Sequence, residues 1–177
     1  SLFSHPRLPV FHPREPWFML RPLIFWLTLT LAGLVPSTQA AEDILITDFE
    51  ASDYGDWKTT GTAFGSGPAA GALPGQMAVE GYHGRSLVNT FHQGDGSTGT
   101  LTSPPITLQR KFLSFLIGGG KNPEQLALTL LVDGQVVRRA TGPNDQPGGS
   151  EALAPDAWDV SDLLGQTAVI QIIDQAT

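Results

Sequence analysis

The chain has 177 residues, of which 41% are hydrophobic, and it contains 20 glycines, 14 prolines and no cysteine. This length and composition predict one domain with a hydrophobic core, and the lack of cysteine excludes disulfides, thiolate metal sites and cysteine nucleophiles. Residues 41–177 carry seven Lys or Arg against sixteen Asp or Glu, a formal charge of −9. Because phosphate backbones are bound by clustered cations, we expect no nucleic acid as a partner.

The first forty residues have the pattern of a secretory leader. Residues 19–40 combine Arg21 in a short basic region, an apolar run over 23–35 and small residues ending at Ala40, which together predict a signal peptide. The apolar run is shorter than the ~20 residues that span a bilayer, so a retained membrane anchor is the weaker alternative. We interpret residues 1–18 as upstream sequence outside the native protein. The mature protein is predicted to be secreted, periplasmic or held at the cell surface.

Residues 41–177 consist of short apolar segments separated by turns rich in Gly, Pro, Asn and Asp. Apolar residues at every second position predict strands, and strands at such intervals are typical of sandwiches and jelly rolls. The sequence therefore predicts an all-β, jelly-roll-like antiparallel β-sandwich, truncated at its C-terminal end. The predicted strands lie at 43–50, 57–64, twice within 76–89, and at 100–103, 106–108, 112–117, 126–132, 135–140, 157–160 and 167–174.

The most regular strand pair surrounds Asp133-Gly134, two residues that can adopt the positive φ angles of a type I′ hairpin turn. Residues 112–117 are apolar on both faces apart from Ser114, which predicts an inner strand. Before the last strand, Ser161 is predicted to cap one helical turn that Gly165 ends.

Carboxylates near the two ends of the mature chain are candidate metal ligands. Asp48 and Glu50 lie on the first predicted strand and Asp174 lies on the last one. In sandwiches whose terminal strands pair, such oxygens can converge on a structural Ca²⁺ together with backbone carbonyls. The alternative is that all three are solvated charges at strand ends.

Three aromatic residues are candidates for carbohydrate binding, because flat aromatic faces suit the apolar faces of sugars. Trp57 and Tyr54 lie together in the turn-rich run DYGDW, and Tyr82 lies in the turn at residues 81–84. Packing is the competing interpretation for each of them. Trp158, inside an alternating segment, is predicted to be a core residue.

Seven runs, in their order and spacing, resemble a known family. The runs are DFE, YGDWKTTGTAFGSGPAAG, LPGQM, GRSLVNTFHQGDGSTGTLTSP, FLSFLIGGGKNPE, LLVDGQVVRRATGPND and WDVSDLLGQTAVIQIIDQAT. Together they resemble the N-terminal β-sandwich module of secreted bacterial glycoside hydrolase family 32 proteins, which include levanases, inulinases and invertases. The resemblance covers residues 43–177.

This resemblance implies a parent enzyme that cleaves β-fructofuranosides such as levan, inulin or sucrose with an Asp nucleophile and a Glu acid/base. The motifs in which that family carries these two residues do not occur in the chain. The resemblance thus implies a non-catalytic accessory domain with no catalytic residue. The sequence predicts no cofactor beyond the calcium considered above. Its implied partners are a fructan and a catalytic domain beyond Thr177. A stand-alone lectin-like or surface-interaction module and a purely structural spacer remain alternatives.

If the leader is cleaved as predicted, protein recovered outside the cytoplasm begins at Ala41. N-terminal sequencing of the exported protein measures this directly. Recovery of residues 23–35 still attached, in a membrane fraction, would show that this segment is an anchor and that the prediction is wrong.

Overall fold

A computed structural model describes residues 41–147 and 149–177, so the predictions for the leader and for residues 1–18 lie outside the described residues. Within these described residues, ten strands and one short 3₁₀ helix make up the regular structure. The strands are β1 (Lys58–Gly61), β2 (Val79–Glu80), β3 (Gly99–Thr102), β4 (Ile106–Thr107), β5 (Phe112–Ile117), β6 (Leu126–Val132), β7 (Gln135–Ala140), β8 (Glu151–Ala152), β9 (Ala154–Asp159) and β10 (Thr167–Asp174), and the 3₁₀ helix is Ser161–Leu163.

Six strands form the main sheet, in which every pairing is antiparallel. The order is β1-β3-β10-β6-β7, and β4 pairs with the beginning of β10 beside β3. The last strand of the chain is thus central, and it pairs with β6 over seven residues, from Ala168 opposite Val132 to Asp174 opposite Leu126. The main sheet therefore depends on contacts between distant parts of the sequence.

A second, smaller layer is built around residues 151–159. On one side β9 pairs antiparallel with β5, with Leu113 opposite Trp158. On the other side β8 pairs parallel with β2, and the Leu153 N–H donates to the Glu80 carbonyl at 2.8 Å. The strands β2 and β5 therefore pair with opposite ends of the same extended segment, residues 151–159.

The two layers share one hydrophobic core. Leu130 and Ile170 of the main sheet belong to the same buried cluster as Leu113 and Trp158 of the second layer. A neighbouring cluster under the main sheet holds Phe64, Leu101 and their contacts. The full set of buried residues in the first cluster is Leu108, Leu113, Leu130, Val132, Trp158, Val160, Leu163, Ala168 and Ile170.

The predicted all-β antiparallel fold is confirmed.

The predicted hairpin is confirmed in its turn as well as in its strands. Asp133 has φ of 49° and Gly134 has φ of 75°, the two positive values that a type I′ turn needs. The pairing of β6 with β7 shifts by one residue between Leu130 and Leu131, an irregularity that the sequence did not indicate.

Two strand predictions are wrong in ways that concern the same part of the molecule. Residues 43–50 form no strand, and Phe49 has a φ of 55°, outside the β region. The strand at 112–117 exists, but in the described structure it pairs with β9 alone, so it is not an inner strand.

Other boundaries also differ from the prediction. The second predicted strand ends at Gly61, where φ is 67° and a Cβ would lie 2.1 Å from the Thr98 carbonyl oxygen. The strand predicted at 157–160 begins three residues earlier, because its pairing with β5 extends over the preceding Pro-containing loop. The turn at Ser161–Leu163 forms, but no side-chain hydrogen bond caps it.

Replacing Gly134 with Ala tests the hairpin turn. The positive φ of Gly134 disfavours any Cβ, so Gly134→Ala should lower the free energy of unfolding by about 1–2 kcal/mol, measured by urea denaturation. Gly96→Ala is the matched control, since a Cβ meets open space at both positions but Gly96 has no positive φ. Equal effects of the two substitutions would contradict the assigned turn.

Candidate functional site

An open groove of about 700 Å³ runs over the pair of strands β5 and β9. Three segments that are distant in sequence supply its walls, namely the turn after β2 and parts of β5 and β9. The residues lining it are His83, Ser114, Phe115, Leu116, Pro155, Asp156 and Ala157.

The alternation of the two strands decides on which face of the strand pair each lining side chain lies. Leu113 and Trp158 are directly opposite each other and are buried in the core. Successive side chains of a strand point to opposite faces, so Ser114, Leu116, Pro155 and Ala157 lie on the outer face, whereas Phe115 and Asp156 share the face of Leu113 and Trp158. His83 joins them because the Glu80 carbonyl binds Leu153, two residues before Pro155.

The chemistry of the groove is mixed. Phe115, Leu116 and Pro155 provide apolar surface, and Phe115 is held by an edge-to-face contact with Trp158 at 4.8 Å between ring centroids. Ser114, His83 and Asp156 provide hydrogen-bonding groups beside that surface. Asp156 is the one carboxylate among the lining residues, and its Oδ1 accepts the Ala157 N–H at 2.7 Å.

Tyr54, predicted to offer its face to a sugar, is instead a buried residue. It is 7% exposed in the second core cluster, and its hydroxyl donates to the Phe64 carbonyl at 3.0 Å. Burial raises the pKa of Tyr54 to about 12. The turn chemistry around it was correctly recognised, but the ring points inward because it fills the space beside Phe64.

Trp57 and Tyr82 are half-buried. The Trp57 ring packs edge-to-face against Phe49 at 5.2 Å between centroids and contacts both core clusters. The Tyr82 hydroxyl lies against Gly71, 3.1 Å from the position that a Cβ would take there. Trp158 is a core residue, as predicted. Neither Trp57 nor Tyr82 lines the groove, although Tyr82 precedes His83.

The three predicted calcium ligands do not form one group. The carboxylate of Asp48 accepts the Glu50 N–H at 3.1 Å, and Glu50 binds the backbone of the turn at Arg85 and Ser86. Asp174 is 8% exposed at the end of β10. Among residues 41–147 and 149–177, no three His, Asp or Glu side chains come together in a group that could hold a metal ion. Calcium binding stays a prediction.

Glu50 instead fastens the N-terminal segment to the turn before Ser86. Its Oε1 accepts the N–H groups of Arg85 at 2.8 Å and Ser86 at 3.0 Å, and its Oε2 lies 3.2 Å from Arg85 Nε. The backbone hydrogen bonds from Arg85 and Ser86, followed by the Arg85 side chain, hold the pKa of Glu50 below its ordinary value. Gly84 permits this approach, since a Cβ there would lie 2.3 Å from Oε1.

The pKa values of Asp174 and Glu151 are instead raised above their ordinary values. Burial raises the pKa of each carboxyl, and the negative charge of Asp95 raises both further. The pKa of Asp174 is partly lowered again by hydrogen bonds from the Thr90 side chain and from the Ala176 N–H, which lies 3.3 Å from Oδ1. An ionised Asp174 therefore opposes folding, whereas an ionised Glu50 supports it.

The chain is similar to part of a known fungal protein. It is 42% identical over 139 residues to a protein of Aspergillus rugulosus named "Putative glycosyl hydrolase ecdE". The alignment covers 77% of this chain and 19% of that protein, so the chain spans about a fifth of its relative's length. No family model matches the chain. No solved structure matches it either. In the part of the chain that the structure describes, no helix is long and apolar enough to cross a membrane.

The resemblance to a bacterial family 32 module is wrong. The relative is fungal, its name is that of a putative glycosyl hydrolase and mentions no family 32, and no family model matches the chain. The runs that suggested the resemblance coincide with turns and strands of the sandwich, such as LLVDGQVVRR in the β6–β7 hairpin. Patterns of this kind are required by the fold and do not specify a family.

Two substitutions should shift thermal stability in opposite directions at pH 7. Asp174→Asn should raise the midpoint of unfolding, because it removes a charge that burial disfavours, and Glu50→Gln should lower it, because a charged acceptor is lost.

The effects of the two substitutions on the unfolding midpoint should change with pH in different ways. The raised pKa of Asp174 means that its stability contribution is full below its ordinary pKa of 3.8 and is lost as pH rises through the folded value, so the gain from Asp174→Asn should vanish near pH 3. The lowered pKa of Glu50 means that its contribution is present above 4.5 and is lost as pH falls through the folded value. Differential scanning fluorimetry from pH 3 to 7 measures both, and shifts of the same sign at pH 7 would contradict the electrostatic assignment.

Proposed function

We propose that residues 41–177 form a non-catalytic, carbohydrate-binding accessory module of a longer glycosyl hydrolase, with the groove over β5 and β9 as its binding face. The observation that carries the proposal is the composition of the groove, in which apolar surface lies beside three hydrogen-bonding side chains. Sugars present apolar ring faces edged by hydroxyl groups, and such sites bind them by stacking and a few hydrogen bonds.

Two observations support a binding role rather than catalysis at this groove. Glycoside hydrolysis uses a pair of carboxyl groups on either side of the scissile bond, whereas the lining includes Asp156 alone. The groove is also wide open to solvent, while catalytic sites gain from excluding water.

The length of the relative supports a place in a longer enzyme. The relative is more than five times as long as the stretch that aligns with it, and its name describes it as a putative glycosyl hydrolase. A module that holds a polysaccharide near a catalytic domain raises the effective concentration of substrate there, even when its own affinity is weak.

The charge of the module favours a neutral ligand. With a formal charge of −9 over residues 41–177 and Asp156 in the groove, an anionic polysaccharide would be repelled. We therefore propose a neutral polysaccharide as the ligand class. Fructans, glucans and mannans all belong to this class.

Filling the groove tests the binding face. We expect the protein spanning residues 41–177 to bind one or more neutral polysaccharides with a dissociation constant of about 1 mM in sugar units, measured by affinity electrophoresis. Ala157→Arg places a long side chain across the groove and should weaken binding at least about tenfold, a loss of about 1.4 kcal/mol.

The matched control is Thr59→Arg, which adds the same side chain at an exposed position of β1 in the main sheet. Circular dichroism of both variants verifies that the fold is intact. Equal weakening by the two substitutions, or no retention of the unsubstituted protein by glucan, mannan, galactan, levan or inulin, would contradict the proposed function.

A further inference from the structure

We propose that the free edge of β5 accepts one additional β-strand, contributed by a segment of the longer polypeptide outside residues 41–177. The proposal concerns an interaction surface of the fold, and strand addition does not depend on carbohydrate binding in the groove. It accounts together for two predictions that failed, the strand at 43–50 and the inner position of the strand at 112–117.

The register of β5 shows which backbone groups are free. The Val160 N–H donates to the Lys111 carbonyl at 2.8 Å, so Lys111 points toward β9. Neighbouring residues of an antiparallel strand point alternately toward and away from the partner. The N–H and C=O groups of Phe112, Ser114 and Leu116 therefore point to the opposite edge, and no backbone partner among the described residues meets them.

This edge lacks the features that usually protect edge strands. β5 reads FLSFLI, without a charge, a proline or a bulge, and Phe112 is 61% exposed. By contrast, the two edge strands of the main sheet carry Lys58 in β1 and Arg138 with Arg139 in β7. Exposed apolar edges without such charges are templates for pairing with another strand. The apolar pattern of β5 is typical of an inner strand, although β5 pairs with β9 alone in the described structure.

A second unpaired apolar segment begins near the start of β5. The Arg110 guanidinium, two residues before β5, donates to the Glu42 carbonyl through Nε at 3.0 Å and Nη2 at 2.7 Å. Beyond Glu42, the side chains of Ile44, Leu45 and Ile46 are 48%, 73% and 40% exposed, and their backbone groups form no backbone hydrogen bond in the described structure. A strand added next to β5 would offer these residues both a hydrogen-bonding edge and apolar cover.

The occupant is best supplied by the same polypeptide. Four-fifths of the related fungal protein lies outside the stretch that this chain matches, so ample sequence is present in that relative to contribute a strand. A second copy is disfavoured, because each copy carries a formal charge of −9 over residues 41–177. The contributed strand should have alternating apolar residues that cover Phe112 and Leu116 on one face.

Amide hydrogen exchange tests the edge directly. Residues 41–177 alone are compared with the polypeptide extended along its own reading frame, and exchange is followed residue by residue by NMR. In residues 41–177 alone, the amides of Ser114 and Leu116 should exchange at least about tenfold faster than those of Leu113 and Phe115. In the extended polypeptide, the amides of Ser114 and Leu116 should slow to the same range as their neighbours, and those of 43–50 should slow as well.

A proline substitution provides an independent readout. Ser114→Pro removes an N–H that points away from β9, so it should leave the thermal midpoint of residues 41–177 nearly unchanged. In the extended polypeptide it should lower the midpoint by several degrees and restore fast exchange at Leu116. Ser114→Ala, which keeps the N–H, is the control and should do neither.

Three outcomes would overturn the proposal. The reading frame could end just after the sandwich, or Ser114 and Leu116 could exchange equally fast in both polypeptides. Protection that appears only at high concentration, together with a dimer in analytical ultracentrifugation, would assign the edge to a second copy instead.

Discussion

The structure depends on the antiparallel pairing of β10 with β6 and on the core that lies on one face of this pair. These strands come from residues 167–174 and 126–132, and they place Leu130 and Ile170 under the second layer, where Leu113 and Trp158 meet them. Leu130 is fully buried, and removing a side chain of that size from such a position typically costs about 2–5 kcal/mol. Loss of this contact would separate the layer that carries the groove from the sheet that supports it.

Local signals in the sequence were sufficient for the elements around this pair. The alternation in Leu126–Val132 and Thr167–Asp174 predicted both strands, and Asp133-Gly134 predicted a turn whose two positive φ angles the structure contains. These predictions succeeded because the period of two and the turn chemistry are properties of neighbouring residues. Strand order is different in kind, since nothing local indicates that the last strand lies between β3 and β6.

The candidate site could not be predicted from the sequence either, because it also depends on pairing between distant segments. His83 and Asp156 are more than seventy residues apart, and only the pairing of β2 and β5 with residues 151–159 brings them to one groove. The aromatic residues that the sequence predicted to bind sugar show that a local pattern can also mislead. Tyr54 lies on a turn, where exposure is the usual expectation, yet its ring is buried and its hydroxyl is satisfied by the Phe64 carbonyl. The failed strand at 43–50 and the exposed edge of β5 belong together, because an apolar pattern can only form an inner strand when its second neighbour is present.

The proposed sugar-binding groove and the proposed strand-accepting edge are therefore adjacent. Ser114 lines the groove, and its backbone groups point to the free edge of β5. The most direct test of the central claim is an NMR titration of ¹⁵N-labelled residues 41–177 with neutral oligosaccharides. The account predicts saturable chemical-shift changes concentrated at His83, Ser114, Leu116, Asp156 and Ala157. Changes confined to the main sheet or to the surroundings of Trp57, or none at sugar concentrations of about 10 mM, would contradict the assignment of this groove as the functional face.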